Sequence, residues 1–230
     1  MEWVIVMRWA RLAMVTGVMW VVALAGCGSD EGGSAQGPSP VTVPTLAQLQ
    51  DALLVPADLT GQWGVDDKGT QGGVIELCAA ASDESKRAAA DLEFQTGVKL
   101  REVTEPGATG AVYVAQFLLA DQTDSVQAKF EALLSGSQAC YGQPLVPEED
   151  YGTNEPYELP AVGDARYGEY HVMGSDVPGF GTYLHMAVER DGPVLMLLNV
   201  WEFTGQEGQG PEISTQDVGT IVTTAANKLP

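Results

Sequence analysis

The sequence predicts an α+β fold: an antiparallel sheet of about five to six strands, helices packed against it, and one disulfide. Three observations carry that prediction. Runs of strand character and stretches of helical period follow one another as helix, strand, helix, two strands, helix, three strands, helix. The pair Asp191-Gly192 stands between two apolar-rich runs and reads as a hairpin turn. Of the three cysteines, one falls at the end of an export signal, which leaves Cys78 and Cys140 to pair.

The export signal comes first in the chain. Arg8 and Arg11 precede a nearly unbroken apolar run from Leu12 to Ala25, the charged-then-apolar order of a secretory segment. That run is about 14 residues, shorter than the roughly 20 a permanent membrane helix needs. It ends in Leu24-Ala25-Gly26-Cys27, which resembles the lipobox of bacterial lipoproteins, whose cysteine receives lipid and becomes the first residue of the mature chain. Residues 1–26 are thus expected to be a lipoprotein signal peptide, with Met7 a more ordinary start than Met1 and Cys27 the lipidated (palmitate-bearing) residue. The expected location is the outer side of a cell membrane. An uncleaved anchor would not need the Ala-Gly-Cys ending.

Residues 27–44 read as a flexible tether, since Gly, Ser, Asp, Glu and Pro give it nothing to bury. As a coil it would hold the domain roughly 20–25 Å from the bilayer. Residues 45–230 are expected to form a single globular domain. Thr45-Leu46-Ala47-Gln48 reads as a capping box, Leu46, Leu49 and Leu53 follow at helical spacing, and Pro56 stops the helix. Ala57 to Gly64 reads as a connector carrying Trp63, and Val74 to Cys78 as a short strand. Asp83 to Gln95 is an expected alanine-rich helix.

A hairpin is expected next, from the alternating Val98–Thr104, through a turn at Glu105 to Gly110, into Ala111–Leu119. The second run is apolar nearly throughout, as in a strand covered on both faces. Asp121 to Ala139 is the clearest amphipathic helix: Val126, Phe130 and Leu133 share a stripe with Cys140, so that cysteine should face the core. Tyr141 to Pro160 reads as a long acidic loop. Strands are expected over Asp164–Met173, Gly181–Arg190 and Pro193–Phe203, and Ser214 caps a last helix with Val218, Ile221, Val222, Ala225 and Leu229 on its apolar face.

Cysteine usage and charge bound the function. In an oxidising compartment Cys78 and Cys140 should close a disulfide, since neither has a neighbouring cation that would make it a reactive thiol. The chain has 31 acidic and 11 basic residues, and removing Glu2, Arg8 and Arg11 with the signal leaves 30 against 9, a net of −21. Such a balance argues against nucleic acid and against adhesion to anionic head groups as partners. It is compatible with a cationic ligand or a basic partner, and equally with solubility alone.

Several stretches together resemble a known family. They are Leu53-Leu54-Val55-Pro56, the helix Phe130-Glu131-Ala132-Leu133 running into Ala139-Cys140, the Arg190-Asp191-Gly192 hairpin and the alanine-containing last helix. With these the chain, over roughly Thr45 to Pro230, resembles the PknH-like extracytoplasmic sensor domain, which occurs in lipoproteins of actinobacteria and outside certain membrane-spanning kinases. The resemblance implies a helix-flanked antiparallel sheet with a ligand cleft. The kinase-linked form has two disulfides, whereas this chain has cysteines for one, and it carries no kinase signature.

No catalytic motif stands out. The nucleophile elbow, the His-Glu-x-x-His helix and the phosphate-binding loops are absent from the sequence. The two histidines, His171 and His185, both fall on expected strands. Alternation puts His185 with Tyr183 and Glu189, and His171 with Tyr167 and Glu169, so adjacent strands would bring His, Tyr and Glu together. Trp63, Tyr167, His171, Tyr183 and His185 are the expected cleft residues, with Tyr113, Phe117 and Trp201 as further aromatic candidates. A loop over Glu148–Glu158 is acidic but lacks calcium-loop spacing, and Asp66-Asp67-Lys68-Gly69 reads as a turn. No metal or cofactor is expected. The expectation is a membrane-anchored lipoprotein that binds a small ligand or an envelope protein without catalysis. The alternatives are an envelope enzyme using His171 or His185 with a carboxylate, and an adaptor docking a membrane protein.

Overall fold

A computed structural model describes residues 41–71, 73–104, 110–144, 154–173, 181–204 and 213–230. The signal peptide, Cys27, most of the tether, the 105–109 turn and the acidic residues Glu148, Glu149 and Asp150 lie outside the described residues. The described residues belong to one compact unit, Pro40–Pro230. Among them, no helix is long and apolar enough to cross a membrane.

The elements in order are α1 (Leu46–Asp51), a 3₁₀ turn (Pro56–Asp58), β1 (Trp63–Lys68), α2 (Asp83–Ala90), β2 (Thr96–Glu102), β3 (Ala111–Ala120) and α3 (Thr123–Cys140). They are followed by β4 (Asn154–Tyr157), β5 (Ala165–Met173), β6 (Gly181–Asp191), β7 (Val194–Thr204) and α4 (Thr215–Ala226). The sheet has seven strands, not five or six, in the order β1-β2-β3-β7-β6-β5-β4. Each strand pairs antiparallel with its neighbours, so the chain lays down two meanders that meet at β3 and β7.

The extra strands come from segments without strand patterning. β1 begins at Trp63, inside the expected connector, and takes in Asp66-Asp67-Lys68, the expected turn. A bulge between Val65 and Asp67 and a run of charge suit it to an open sheet edge. β4 arises within the expected loop and carries Pro156, which an edge strand tolerates. Conversely, 74–78 does not pair: Val74 and Glu76 are exposed, but the buried Ile75 and Cys78 are three residues apart, not the two or four of a strand face. It lies outside the sheet, with Cys78 turned inward to the disulfide. α2 stops at Ala90 rather than Gln95, because Gln95 already bonds to the end of β3: its N–H donates to Leu118 O at 2.9 Å and its side-chain amide to Ala120 O at 2.9 Å.

Helices cover both faces of the sheet. On one face Leu49 of α1, Ala52 at its C-terminal cap and Val218, Val222 and Ala225 of α4 pack on Val98, Leu100, Val114, Leu118, Met196, Leu198 and Val200. Val43, near the end of the expected tether, packs against this core. Gln116, fully buried, ties the segment after α1 to the sheet by accepting from Leu54 N–H at 2.7 Å. On the other face Ala89 of α2 and Val126, Phe130 and Leu133 of α3 cover Ala115, Phe117, Leu119, Val188, Leu195 and Leu197. The Cys78–Cys140 disulfide is formed, with Cα atoms 5.5 Å apart, and fastens the end of α3 to the 73–78 segment.

Candidate functional site

Side chains alternate between the faces of each strand, so the register decides which ones meet. β5 and β6 are adjacent, but Tyr170 pairs with His185 and His171 with Leu184. The two histidines therefore point to opposite faces, and two patches form where the sequence suggested one. Trp63, Tyr183 and His185 lie on the α1/α4 face, Tyr167 and His171 on the α2/α3 face. Trp63 is also four strands from β6. It lines a separate notch of about 250 Å³ beside Leu59, Glu102, Ile213, Asp217 and Ile221.

On the α1/α4 face, His185 is 2 % exposed and sits among tyrosines. Tyr170 lies 4.7 Å from it, Tyr157 meets it edge-on at 5.7 Å, and Tyr183 stacks on Tyr170 at 6.2 Å. Burial, with a smaller contribution from His171, pushes the His185 imidazole down to about 4, so it is neutral at physiological pH. Farther along β6, Glu189 is fully buried and neither carboxylate oxygen has a hydrogen-bond partner among the described residues. Burial, then the charge of Asp191, push it up to about 7 despite Arg166.

On the α2/α3 face, α3 covers only one half of the sheet. Beyond it, one row of side chains runs from β2 to β4: Arg101, Tyr113, Trp201, Leu184, His171 and Asn154. At about 4.8 Å per strand the row is roughly 24 Å long. It is exposed at Arg101, half-buried at Tyr113, Trp201 and Leu184, and buried at His171 and Asn154. Lys99 and Asn199 stand in the row behind it, and Phe203 in the row in front.

The open end is aromatic and cationic. Lys99 Nζ lies 4.5 Å from the Tyr113 ring centre and 5.5 Å from that of Trp201, and Arg101 5.6 Å from Tyr113, at cation–π distance. Phe203 meets Tyr113 edge-on at 5.8 Å. The buried end is polar. His171 Nε2 is 3.1 Å from Glu169 Oε2, to which the Asn154 amide also donates at 3.0 Å. Burial, then the Glu169 charge, push the Tyr141 and Tyr167 hydroxyls up, so both stay protonated and able to donate. His171 and Glu169 could exchange a proton, but at 4 % and 1 % side-chain exposure the pair is closed to a large substrate. Among the described residues no group of three or more potential ligands could hold a metal.

Of the expected cleft residues only His171 belongs to this row, with Tyr167 behind it under α3. Tyr113 and Trp201 are in the row and Phe117 is core. Arg101, Lys99, Asn154 and Asn199 were not foreseen. Alternation in Val98–Thr104 does place Lys99 and Arg101 on one side, but no single strand shows what lies opposite it.

No protein-family model matches the chain, and no curated protein does. In structure it is similar to the extracellular domain of PknH from Mycobacterium tuberculosis. The match covers 84 % of this chain and 98 % of that one at 14 % identity, with a TM-score of 0.52, which shows a shared fold. The helix-flanked antiparallel sheet expected from the family resemblance is thus the fold observed. A match to the human StarD13 (DLC2) lipid transfer and protein localization domain covers 58 % of this chain and 84 % of that one at 11 % identity. Its TM-score of 0.22 carries no argument.

Proposed function

We propose that this chain is an extracytoplasmic lipoprotein, held to the outer side of a membrane through lipid on Cys27, whose domain binds a ligand on the open half of the α2/α3 face without transforming it. The observation that carries the binding reading is the row Arg101–Tyr113–Trp201–Leu184–His171–Asn154. A folded domain has no need to leave two aromatic rings and a guanidinium together on a half-covered sheet, and such patches mark interaction sites. The export side of the reading rests on Leu24-Ala25-Gly26-Cys27, on a disulfide that suits an oxidising compartment, and on the fold shared with an extracellular domain.

Two measurements test it. Labelling with a radioactive fatty acid should mark the wild type and not Cys27→Ser; label that persists in the variant overturns the anchor. Native mass spectrometry of the Cys27→Ser chain, exported from its own host, should show an added mass that leaves on denaturation and is absent from Trp201→Ala. A bare mass in both would overturn the small-ligand reading in favour of a protein partner. A released mass chemically altered over time would make His171 and Glu169 the residues to examine for catalysis.

A further inference from the structure

We infer that the open row takes an acidic saccharide, a pyranose ring bearing a carboxylate or phosphate, drawn from a glycan rather than from a lipid head group. The inference rests on the ligand-binding reading above and names its ligand class.

Two features of the row point there. The first is charge. In a chain of net charge −20, Arg101 has no ion-pair partner among the described residues, while Lys99 is paired only with Asp66 at 3.5 Å. The two cations stand over one tyrosine, so an anion reaching them finds a local field opposite to that of the whole domain. Arg101 offers the planar fork that fits a carboxylate or phosphate with two hydrogen bonds.

The second is the apolar surface. Both cations crowd the Tyr113 ring, at 4.5 and 5.6 Å, whereas Trp201 meets only Lys99, at 5.5 Å, and with Leu184 and Phe203 beside it offers the stacking surface. The face of an aromatic ring is electron-rich, and the C–H-bearing face of a pyranose is apolar and slightly positive, so the two pack well. Arg101 and Trp201 are two strand spacings apart, about 10 Å, which is the reach of a disaccharide.

A fatty chain would leave Arg101 and Lys99 unmet, and a bare inorganic anion would leave Trp201 unused.

The test uses the exported Cys27→Ser chain and isothermal calorimetry with matched probes. They are trigalacturonate against its methyl ester, N-acetylmuramic acid against N-acetylglucosamine, and glucose 6-phosphate against glucose. At least one acid should bind 10-fold or more tighter than its neutral partner. Arg101→Gln should reduce that acid to the neutral level, Trp201→Ala should abolish binding, and Trp201→Phe should restore part of it, with thermal melts confirming that each variant is folded. Acids that bind no better than neutrals, or a preference that survives Arg101→Gln, overturn the inference. So does binding seen only with phosphatidylinositol vesicles, which would move the source to a lipid. A lipid or cationic mass carried from the host would overturn the saccharide class and leave the ligand-binding reading intact, whereas a bare mass with no probe bound would end both.

Discussion

The two faces of the sheet are built from alternate residues of the same strands and are closed in different ways. The α1/α4 face is sealed by helices from the two ends of the domain, and its apolar layer is continuous from Val98 to Val200. The α2/α3 face is sealed over one half by internal helices, one of them the short, polar Asp83–Ala90, and a disulfide holds the cover in place. Among the described residues no helix covers its other half, which holds the row from Arg101 to Asn154. A face closed by burial alone serves as foundation. The other face is closed over one half only, by a cover that carries a covalent pin.

The largest way to break that comparison is to remove the pin. Cys78 and Cys140 are 62 residues apart, and the chain-entropy model gives such a crosslink about 4 kcal/mol. The double variant Cys78→Ala/Cys140→Ala should therefore shift urea unfolding by about that much. The loss should be uneven. Hydrogen exchange should speed up first in α3 and in the 73–78 segment, while α1 and α4 stay protected. An even loss over both faces would mean that the disulfide stabilises only through the unfolded chain, and that the two covers are equivalent.

The pinned half was the legible half. The stripe Val126, Phe130, Leu133 and Cys140 could be read from helical spacing, because a helix buries one side of itself whatever it packs against. The β6–β7 hairpin could be read from Asp191-Gly192, since the turn needs the positive φ of 49° that Gly192 adopts. β1 and β4 could not. Both are edge strands with a single neighbour, and they carry Asp66, Asp67, Glu155 and Pro156 because an edge needs no apolar alternation. The row is legible only in pieces, since the sequence shows Tyr113 and Trp201 as aromatics but not the face they share. Joining them to Arg101 and His171 needs the register of five strands, and a slip of one residue would turn each side chain to the other face.

The closed face keeps two titratable groups that pull in opposite directions, which sharpens the comparison through pH. Glu189 has its folded pKa raised from 4.5 to about 7, so the native state holds a proton there that the unfolded chain has lost. Its stabilising effect is present below about 4.5 and disappears as pH rises toward 7. His185 has its folded pKa lowered from 6.5 to about 4, so its neutral form favours the fold above 6.5 and that advantage is lost as pH falls toward 4. Between about 4.5 and 6.5 the two slopes oppose each other. Glu189→Gln should therefore gain on the wild type as pH rises from 5 to 8, and His185→Gln as pH falls from 7 to 4, each by roughly 2 kcal/mol. Chemical denaturation at four pH values reads both, and parallel curves for the variants and the wild type would show that neither group is as dry as its burial indicates.

The smallest expected effect lies at the start of α4. The Ser214 hydroxyl accepts from Asp217 N–H at 3.2 Å and donates to the Asp217 carboxylate at 2.6 Å, and that carboxylate accepts from Ser214 N–H at 3.2 Å. Ser214→Ala removes one side of this box and should cost about 1 kcal/mol. The cost should stay small because Val218, Val222 and Ala225, all fully buried, continue to hold the helix on the sheet after its first turn loosens. It should also add to the loss in the double cysteine variant, since the cap and the disulfide lie on opposite faces and share no partner. Thermal melts of the single, double and triple variants would check the sum. A combined loss well beyond it would mean that closing the α1/α4 face depends on the pin behind the sheet, so that the two covers form one cooperative shell.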